Sequence, residues 1–557
     1  MNTIPNQLID DLKIYSQIFS KINHTTTSFG ECVLKKFLKT NMYDVKNLEL
    51  RKQILKSLLA DKKRKDMIQD NLTNIKSLES DYNWLYSKKQ KEAEMFIEDF
   101  YYGYDLFNNE FLLDIKNNKQ KYTIATFFII IIVVYVLSTY YKKPINVSKY
   151  AQIIYKRYNN LAKFFVNFIT KNKKYIKYLT SGIIIYFIIS QLQSFRSIIM
   201  KAHTHHNHNN NFKSRFQKIS VMLNHVNSIC KVDDFYKNKE FIDSIQFLTN
   251  IFNKNKLNNI GYCLVLYKKL HLYKDHFINV EKYIGEIDTY LSIVRLYLSD
   301  DYCFPIYSDK QKPLYKSTDL WHPSVPKDER VTNDIELGLN NIIILTGPNA
   351  SGKSTYLESC MLVVYLGQTL GISPCKTAIF TPFSILNTHI NFSYTIGYES
   401  SFEAKMNKCY DCYKTIKDVR KLCFTIVDEL FIGTNPEEGI TSSYSMCEHF
   451  EKCKNNLLIV STHYHKLTKL QNRFPECIKN KATYVIRKDG KLYTPFKIID
   501  GVSKQNIAIE LLTRKGYDDS ITNTASNILE SMKKKTKINK INIKLKELSP
   551  DKAQITN

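Results

Sequence analysis

The sequence predicts a mostly parallel α/β sheet in the C-terminal part of the chain, joined to a helical part that an apolar hairpin interrupts. Three observations carry this expectation. Short apolar runs at Ile342–Leu345, Phe424–Val427 and Asn456–Val460 end in polar residues, as buried parallel strands do. Near the N-terminus, Ile54, Leu58 and Leu59 continue an apolar helical face beside the charged run Asp61-Lys62-Lys63-Arg64-Lys65. Between the helical stretches lie two long uncharged runs.

The first strand leads into Gly347-Pro348-Asn349-Ala350-Ser351-Gly352-Lys353-Ser354-Thr355, which fits G-x-x-x-x-G-K-[ST]. Glycines in such a loop let backbone N–H groups turn inward around phosphates, and a helix start supplies further donors. Tyr356 to Leu370 continues as that helix. The pattern assigns Gly347 to Thr355 to ATP. Lys353 would reach the β- and γ-phosphates, and the Ser354 hydroxyl would ligate Mg²⁺. This is a P-loop NTPase arrangement.

Such a site needs a second acid. The strand Phe424-Thr425-Ile426-Val427 ends in Asp428-Glu429. Asp428 would hold Mg²⁺ through water, and Glu429 would polarise the attacking water; an exposed acidic pair closing a strand is the plainer alternative. A third strand, Asn456 to Val460, ends in Ser461-Thr462-His463. His463 sits where a γ-phosphate sensor could sit, at the carboxyl end of a parallel strand.

On these motifs, residues 334–530 resemble the ATPase domain of MutS, the mismatch-repair clamp family. The loop TGPNASGKSTYLES, Asp428-Glu429 followed by Gly433-Thr434, and Ser461-Thr462-His463-Tyr464-His465-Lys466-Leu467 resemble three of its motifs. Trp321-His322-Pro323 and Thr332-Asn333-Asp334 resemble the approach to its nucleotide domain. Ser400-Ser401-Phe402 with Met406 resembles a segment that crosses a dimer to the partner's nucleotide, so the resemblance implies that Ser400 contacts a γ-phosphate in trans; an ordinary helix N-cap is the alternative. Arg330 and Phe496 fall near positions that flank adenine in the family, and either could stack on the base. The resemblance further implies a homodimer, or a dimer with a related MutS-like subunit, with composite ATP sites and duplex DNA as partner.

Asn23-His24-Thr25-Thr26-Thr27-Ser28-Phe29-Gly30, followed by Leu34 and Leu38, is similar to the opening of the MutS helical core. The chain departs from the family in three respects. It has no room before the core for the mismatch-reading domain. Lys405 stands where an acid is usual in the trans segment, and Phe431-Ile432 replaces a small-basic pair. Phe96-Ile97-Glu98 superficially matches a mismatch wedge but falls in the helical region and reads as packing.

Tyr122 to Tyr141 is twenty residues without a charge, about 30 Å of helix and the thickness of a bilayer core. Tyr178 to Phe195 is a second uncharged run, carrying Gln191 and Gln193. A buried soluble helix or strand is the alternative, but buried strands are usually shorter. The intervening segment, Lys142 to Lys177, holds ten Lys/Arg and no acid. The positive-inside rule places it in the cytosol, while ATP demands a cytosolic C-terminal domain. A translocated loop, a shallow hairpin and an odd number of spans all resolve that conflict, and an interfacial helix over Ile153 to Phe168 is compatible with anionic lipid as a partner.

Lys+Arg exceed Asp+Glu by 80 to 53 in 557 residues, a net +27 that suits nucleic acid or an anionic membrane. The lysines are spread, so this is weak evidence for a groove. Twelve cysteines without framework spacing suit a reducing compartment. Cys409-x-x-Cys412 lacks a second pair and reads as packing, and His203-Thr204-His205-His206-Asn207-His208 reads as a solvated tether. Asp489-Gly490 marks a hairpin, and Gly501 to Leu512 and Ile521 to Leu529 read as helices.

The sequence therefore predicts an ABC/MutS-type P-loop NTPase domain joined to an all-α MutS-core-like domain interrupted by a transmembrane hairpin. The division is 1–110 for the first half of the core, 111–200 for the hairpin with spans about 122–141 and 178–195, and 201–320 for linker and second half. The ATPase domain covers 321–515, a helical dimerisation end 516–540 and a charged tail 541–557. The expected protein is a membrane-localised ATPase with its nucleotide domain in the cytosol. It would hydrolyse ATP with Mg²⁺ and act on DNA in mismatch repair or recombination. The alternative is a membrane-associated scaffold or remodelling ATPase that no longer binds DNA. An ABC transporter is disfavoured, because the Leu-Ser-Gly-Gly-Gln signature is missing.

Overall fold

The computed structural model describes residues 2–86, 207–208, 210–233, 238–309, 312–338, 341–390, 401–488, 491–505 and 507–532, with single helical positions at 193 and 200. The chain divides into two compact units, one of residues 1–25, 30–65 and 286–557, the other of residues 26–29 and 66–285.

In the first unit the strands are β1 (Asn2–Thr3), β2 (Thr40–Asn41), β3 (Ile306–Tyr307), β4 (Tyr315–Leu320), β5 (Asn333–Leu337), β6 (Ile342–Thr346) and β7 (Thr377–Phe380). They continue as β8 (Ile385–His389), β9 (Cys423–Asp428), β10 (Asn456–Ser461), β11 (Ile478–Thr483), β12 (Ile486–Lys488), β13 (Lys491–Tyr493) and β14 (Ile498–Asp500). The main sheet has the order β14-β11-β6-β10-β9-β8, parallel except for β14. Its central strands are buried along their length because helices cover both faces, which is why they read as unbroken apolar runs. Ile344, Val427, Val460, Cys447 and Phe450 belong to one core on this sheet, together with Cys409 and Cys412, which pack there. Among the described residues no group of three or more side chains could hold a metal ion.

A second, four-stranded sheet has the order β3-β7-β4-β5. β12 and β13 form the hairpin announced by Asp489-Gly490, with Lys488 opposite Lys491. Helices follow at Ala508–Arg514 and over 519–532.

The N-terminal segment of this unit grips the helix Lys353–Thr369. Tyr365 Oη donates to Leu38 O at 2.6 Å, and Gln368 Nε2 donates to Asn41 Oδ1 at 2.6 Å and to Phe383 O at 2.9 Å. Phe383 N donates back to Gln368 Oε1 at 2.9 Å. Arg51, buried beneath the ring of Phe37, donates to Thr369 O and so satisfies a carbonyl at the helix C-terminus.

The second unit is helical, with helices over 210–232, Lys239–Ile251 and Ile260–Lys269. Asn238 and Asn259 cap the latter two by accepting from Glu240 N and Tyr262 N. Its core is aromatic: Phe216 meets Phe252 at 5.3 Å, Phe252 meets Phe277 at 5.9 Å, and Tyr82 meets Phe277 edge-on. Asp81 pairs with Arg215 at 3.0 Å and Lys218 at 2.9 Å.

The expected transmembrane hairpin is corrected here. Among the described residues no helix is long and apolar enough to cross a membrane. The longest, Lys62–Asn83 and Lys274–Ser299, carry charged residues along their length, among them Asp288, which is fully buried in the second. Apart from position 193, both uncharged runs lie outside the described residues, as do the basic segment between them, Phe96-Ile97-Glu98, His203 to His206 and the tail from 533. Membrane localisation and a lipid partner lose their support with that finding.

Candidate functional site

β6 runs into the loop Gly347 to Ser351, and the helix Lys353–Thr369 follows with Gly352 as its N-cap residue. The loop requires its glycines. A Cβ on Gly347 would lie 1.8 Å from Thr483 Oγ1, and Gly352 has φ +88°, with a Cβ there meeting the Phe496 ring at 2.9 Å. Ala350 also adopts a left-handed φ of +56°. Ser351 Oγ closes the loop on Pro348 O at 2.6 Å. Lys353 is buried and folds back, donating to Gly347 O at 3.0 Å and Pro348 O at 2.9 Å. Burial lowers its pKa, against the attraction of Asp428 and Glu429. Asn349, Ser354 and Thr355 are exposed.

The second strand end arrives beside the first. Ser354 Oγ donates to Asp428 Oδ2 at 2.6 Å, while Asp428 Oδ1 accepts from Ser461 Oγ. β9 and β10 are in parallel register with Asp428 opposite Ser461, so the next residues converge. Glu429 has φ +59°, a conformation that costs a non-glycine residue and collects at functional sites. Its backbone N donates to Ser461 O at 3.2 Å. Its carboxylate meets His463 Nε2 at 3.1 Å. Phe431 is left-handed as well, at φ +53°.

A cavity of about 240 Å³ opens beside Gly352 and Thr355. Phe496, Tyr356, Val331, Asn333 and Arg330 help line it. Phe496 is half exposed and left-handed at φ +54°, held by Asn333 Nδ2 donating to its carbonyl at 3.0 Å. Arg330 is committed elsewhere: it lies 3.7 Å over the Trp321 ring and makes a bidentate pair with Asp300 at 2.6 and 2.7 Å. It forms a wall of the cavity with its charge already paired, while Phe496 lines the same cavity half exposed.

The structure thus brings together Gly347 to Thr355, Asp428, Glu429, His463 and Phe496. Ser400 lies outside the described residues, and of Lys405 the structure describes only a helical backbone. Sequence reasoning left out Ser461 as a partner of Asp428, although it stands in the Ser-Thr-His run, and Thr483, whose contact with Gly347 has no local signature. The donors suit ATP with Mg²⁺: a glycine loop too tight for a Cβ, a buried lysine beside it, and a hydroxyl and a carboxylate paired at 2.6 Å for a hard cation.

Strand, glycine loop, helix and paired acids at the end of β9, one strand beyond β10 in the same sheet, define a phosphate-loop nucleotide-binding domain. Residues 343–533 match, more narrowly, the family model of MutS domain V. The chain is 28% identical over 293 residues to the DNA mismatch repair protein MutS of Clostridium perfringens, covering 50% of this chain and 31% of that protein. It is 28% identical over 280 residues to the protein of the same name from the Hall strain of Clostridium botulinum, covering 48% and 29% respectively. The chain thus spans about 30% of the length of the curated relatives it matches. The similarity supports the MutS family for the half of the chain it covers.

Proposed function

We propose that this protein is a MutS-like ATPase that works on DNA as a dimer with composite nucleotide sites. The observation that carries the reading is the convergence of Ser354, Asp428, Ser461, Glu429 and His463 on the glycine loop, with Ser354 Oγ and Asp428 Oδ2 at 2.6 Å. The relatives, named DNA mismatch repair proteins, favour DNA as the partner.

Backbone N–H groups of Gly347 to Ser354 would bind the phosphates, and Lys353 would exchange its two carbonyl partners for phosphate oxygens. Ser354 and Asp428 would hold Mg²⁺, which when bound neutralises charge on the phosphates. Glu429 orients the attacking water and accepts its proton, and His463 holds the Glu429 carboxylate in position. Phe496 stacks on adenine. Ser400 of one protomer would reach the γ-phosphate held by the other, which makes dimerisation a condition for full activity.

ATP turnover of the purified protein, measured with and without duplex DNA across a salt series, tests this. ATP hydrolysis with salt-sensitive, ATP-modulated DNA retention is expected. Absence of hydrolysis under all conditions would overturn the enzymatic reading, and turnover with no DNA binding would overturn the DNA reading.

A further inference from the structure

Cys303 and Cys375 are separated by 72 residues, yet their Sγ atoms lie 3.4 Å apart. The backbone brings them together. Cys303 N donates to Ser373 O and Ser373 N donates to Cys303 O, both at 2.9 Å, and Cys375 N also donates to Ser373 O at 2.9 Å. Cys303 is half-buried and Cys375 fully buried, so the pair lies at the edge of the packed interior on the Cys303 side.

The two thiols are chemically unequal. The hydrogen bond from Cys375 draws the Cys303 thiol below its ordinary pKa, against burial. The same bond and burial push Cys375 up. The more acidic thiol of the pair is the one oxidised first, and the other lies in reach to resolve it.

The residues flanking both sulfurs hold a wall of the cavity. Pro374 O accepts from Trp321 N at 3.1 Å, and Asp301 O accepts from Trp321 Nε1 at 3.2 Å. Tyr302 packs edge-on against Trp321 at 5.0 Å. Trp321 in turn carries Arg330, which lines the cavity. A disulfide needs its sulfurs about 2.05 Å apart, so the pair must close by more than ~1 Å from 3.4 Å. Both sulfurs are carried by the backbone segments that grip Trp321, so strain from that closure is passed to them.

We infer that Cys303 and Cys375 form a reversible disulfide under peroxide and that its closure changes nucleotide affinity in the adjoining cavity. The Cys303 thiolate attacks one peroxide oxygen, giving a sulfenic acid and releasing hydroxide, which leaves as water after protonation. Cys375 Sγ then displaces the sulfenic hydroxyl, which leaves as water with the Cys375 proton. One peroxide is reduced to two waters and two thiols are oxidised to one disulfide. The effect on affinity rests on the nucleotide reading of the cavity, whereas the disulfide itself does not.

The test treats the full chain with hydrogen peroxide, maps its peptides without reduction and titrates a fluorescent ATP analogue before and after. The expected result is a linked Cys303–Cys375 peptide that dithiothreitol reverses, with an affinity change of at least about threefold. Cys303→Ser and, as a second fold-preserving variant, Cys303→Ala should lose both effects while binding nucleotide as the reduced protein does. Absence of the linked peptide overturns the inference. Linkage with unchanged affinity overturns the coupling to the cavity. If the reduced protein binds no nucleotide, the nucleotide reading fails, and the peptide map alone decides the disulfide.

Discussion

Glu429 and His463 face each other at 3.1 Å across the ends of two neighbouring parallel strands, with the Glu429 backbone in the left-handed region. The register of β9 on β10 sets this pair, since Asp428 opposite Ser461 places the residues just beyond them side by side. The acid next to the Ser354–Asp428 pair is thereby held by a neighbour rather than left free in solvent.

Glu429→Gln should therefore bind ATP normally and turn it over about 10²- to 10⁴-fold more slowly, the range for losing a general base. His463→Ala should cost less, about tenfold, because it removes only the support of the carboxylate. Single-turnover hydrolysis measured beside nucleotide binding checks both. Equal losses in the two variants would place His463 in direct contact with the reacting phosphate instead.

Lys353→Ala should abolish ATP binding. Its Nζ already sits among the Gly347 and Pro348 carbonyls, so no rearrangement of the loop is needed to deliver it to a phosphate. Equilibrium titration with a fluorescent nucleotide reads this directly, and an unchanged affinity contradicts the assignment.

Phe496→Ala should weaken ATP binding by roughly 1–3 kcal/mol, the span for one base–aromatic stack. Turnover of bound ATP should stay the same, because the ring lines the cavity beside Gly352 and not the acids. A fall in kcat with unchanged KM would exclude the base-stacking role.

Gln368→Ala should lower the thermal midpoint, with a loss of about 2–4 kcal/mol. The side chain is fully buried, and its removal strands the Asn41 carbonyl oxygen and Phe383 N without partners. Calorimetry of the full chain measures the shift; a midpoint within a degree of the parent would show that water replaces the amide.

Stability should fall as pH drops from about 6.5 to 4. Burial, aided by Lys408 and opposed by Asp411, lowers the His389 pKa from 6.5 to about 4. In that window the unfolded chain binds a proton that the folded chain refuses, so acid favours unfolding by up to roughly 3 kcal/mol from this group. Among the described residues neither ring nitrogen of His389 has a hydrogen-bond partner, so only the attraction of Asp411 works against burial. Denaturation midpoints of the parent and His389→Gln across this range should converge at low pH, and parallel curves would remove His389 as the cause.

The phosphate loop and the acidic strand end were legible before any coordinates because their chemistry is local. A glycine that must admit a backbone turn, a lysine one residue past it and two acids after an apolar strand sit at short, characteristic spacings. The hairpin at Asp489-Gly490 was legible for the same reason, since turn chemistry is written in adjacent residues. Length and lack of charge at 122–141 and 178–195 suggested a bilayer span; among the described residues, which leave out these runs apart from position 193, no helix is long and apolar enough to cross a membrane.

Long-range proximity had no such signature. Thr483 against Gly347, Gln368 against Asn41, Arg330 against Trp321 and Asp300, and the sulfur of Cys303 against that of Cys375 all join residues far apart in the chain. Local spacing could name the glycine loop and its lysine because they lie on one turn of chain. Which ring lined the cavity beside the glycine loop, which acid was held by which neighbour, and which cysteines met depended on strand order and register, and those arise only when the whole sheet packs.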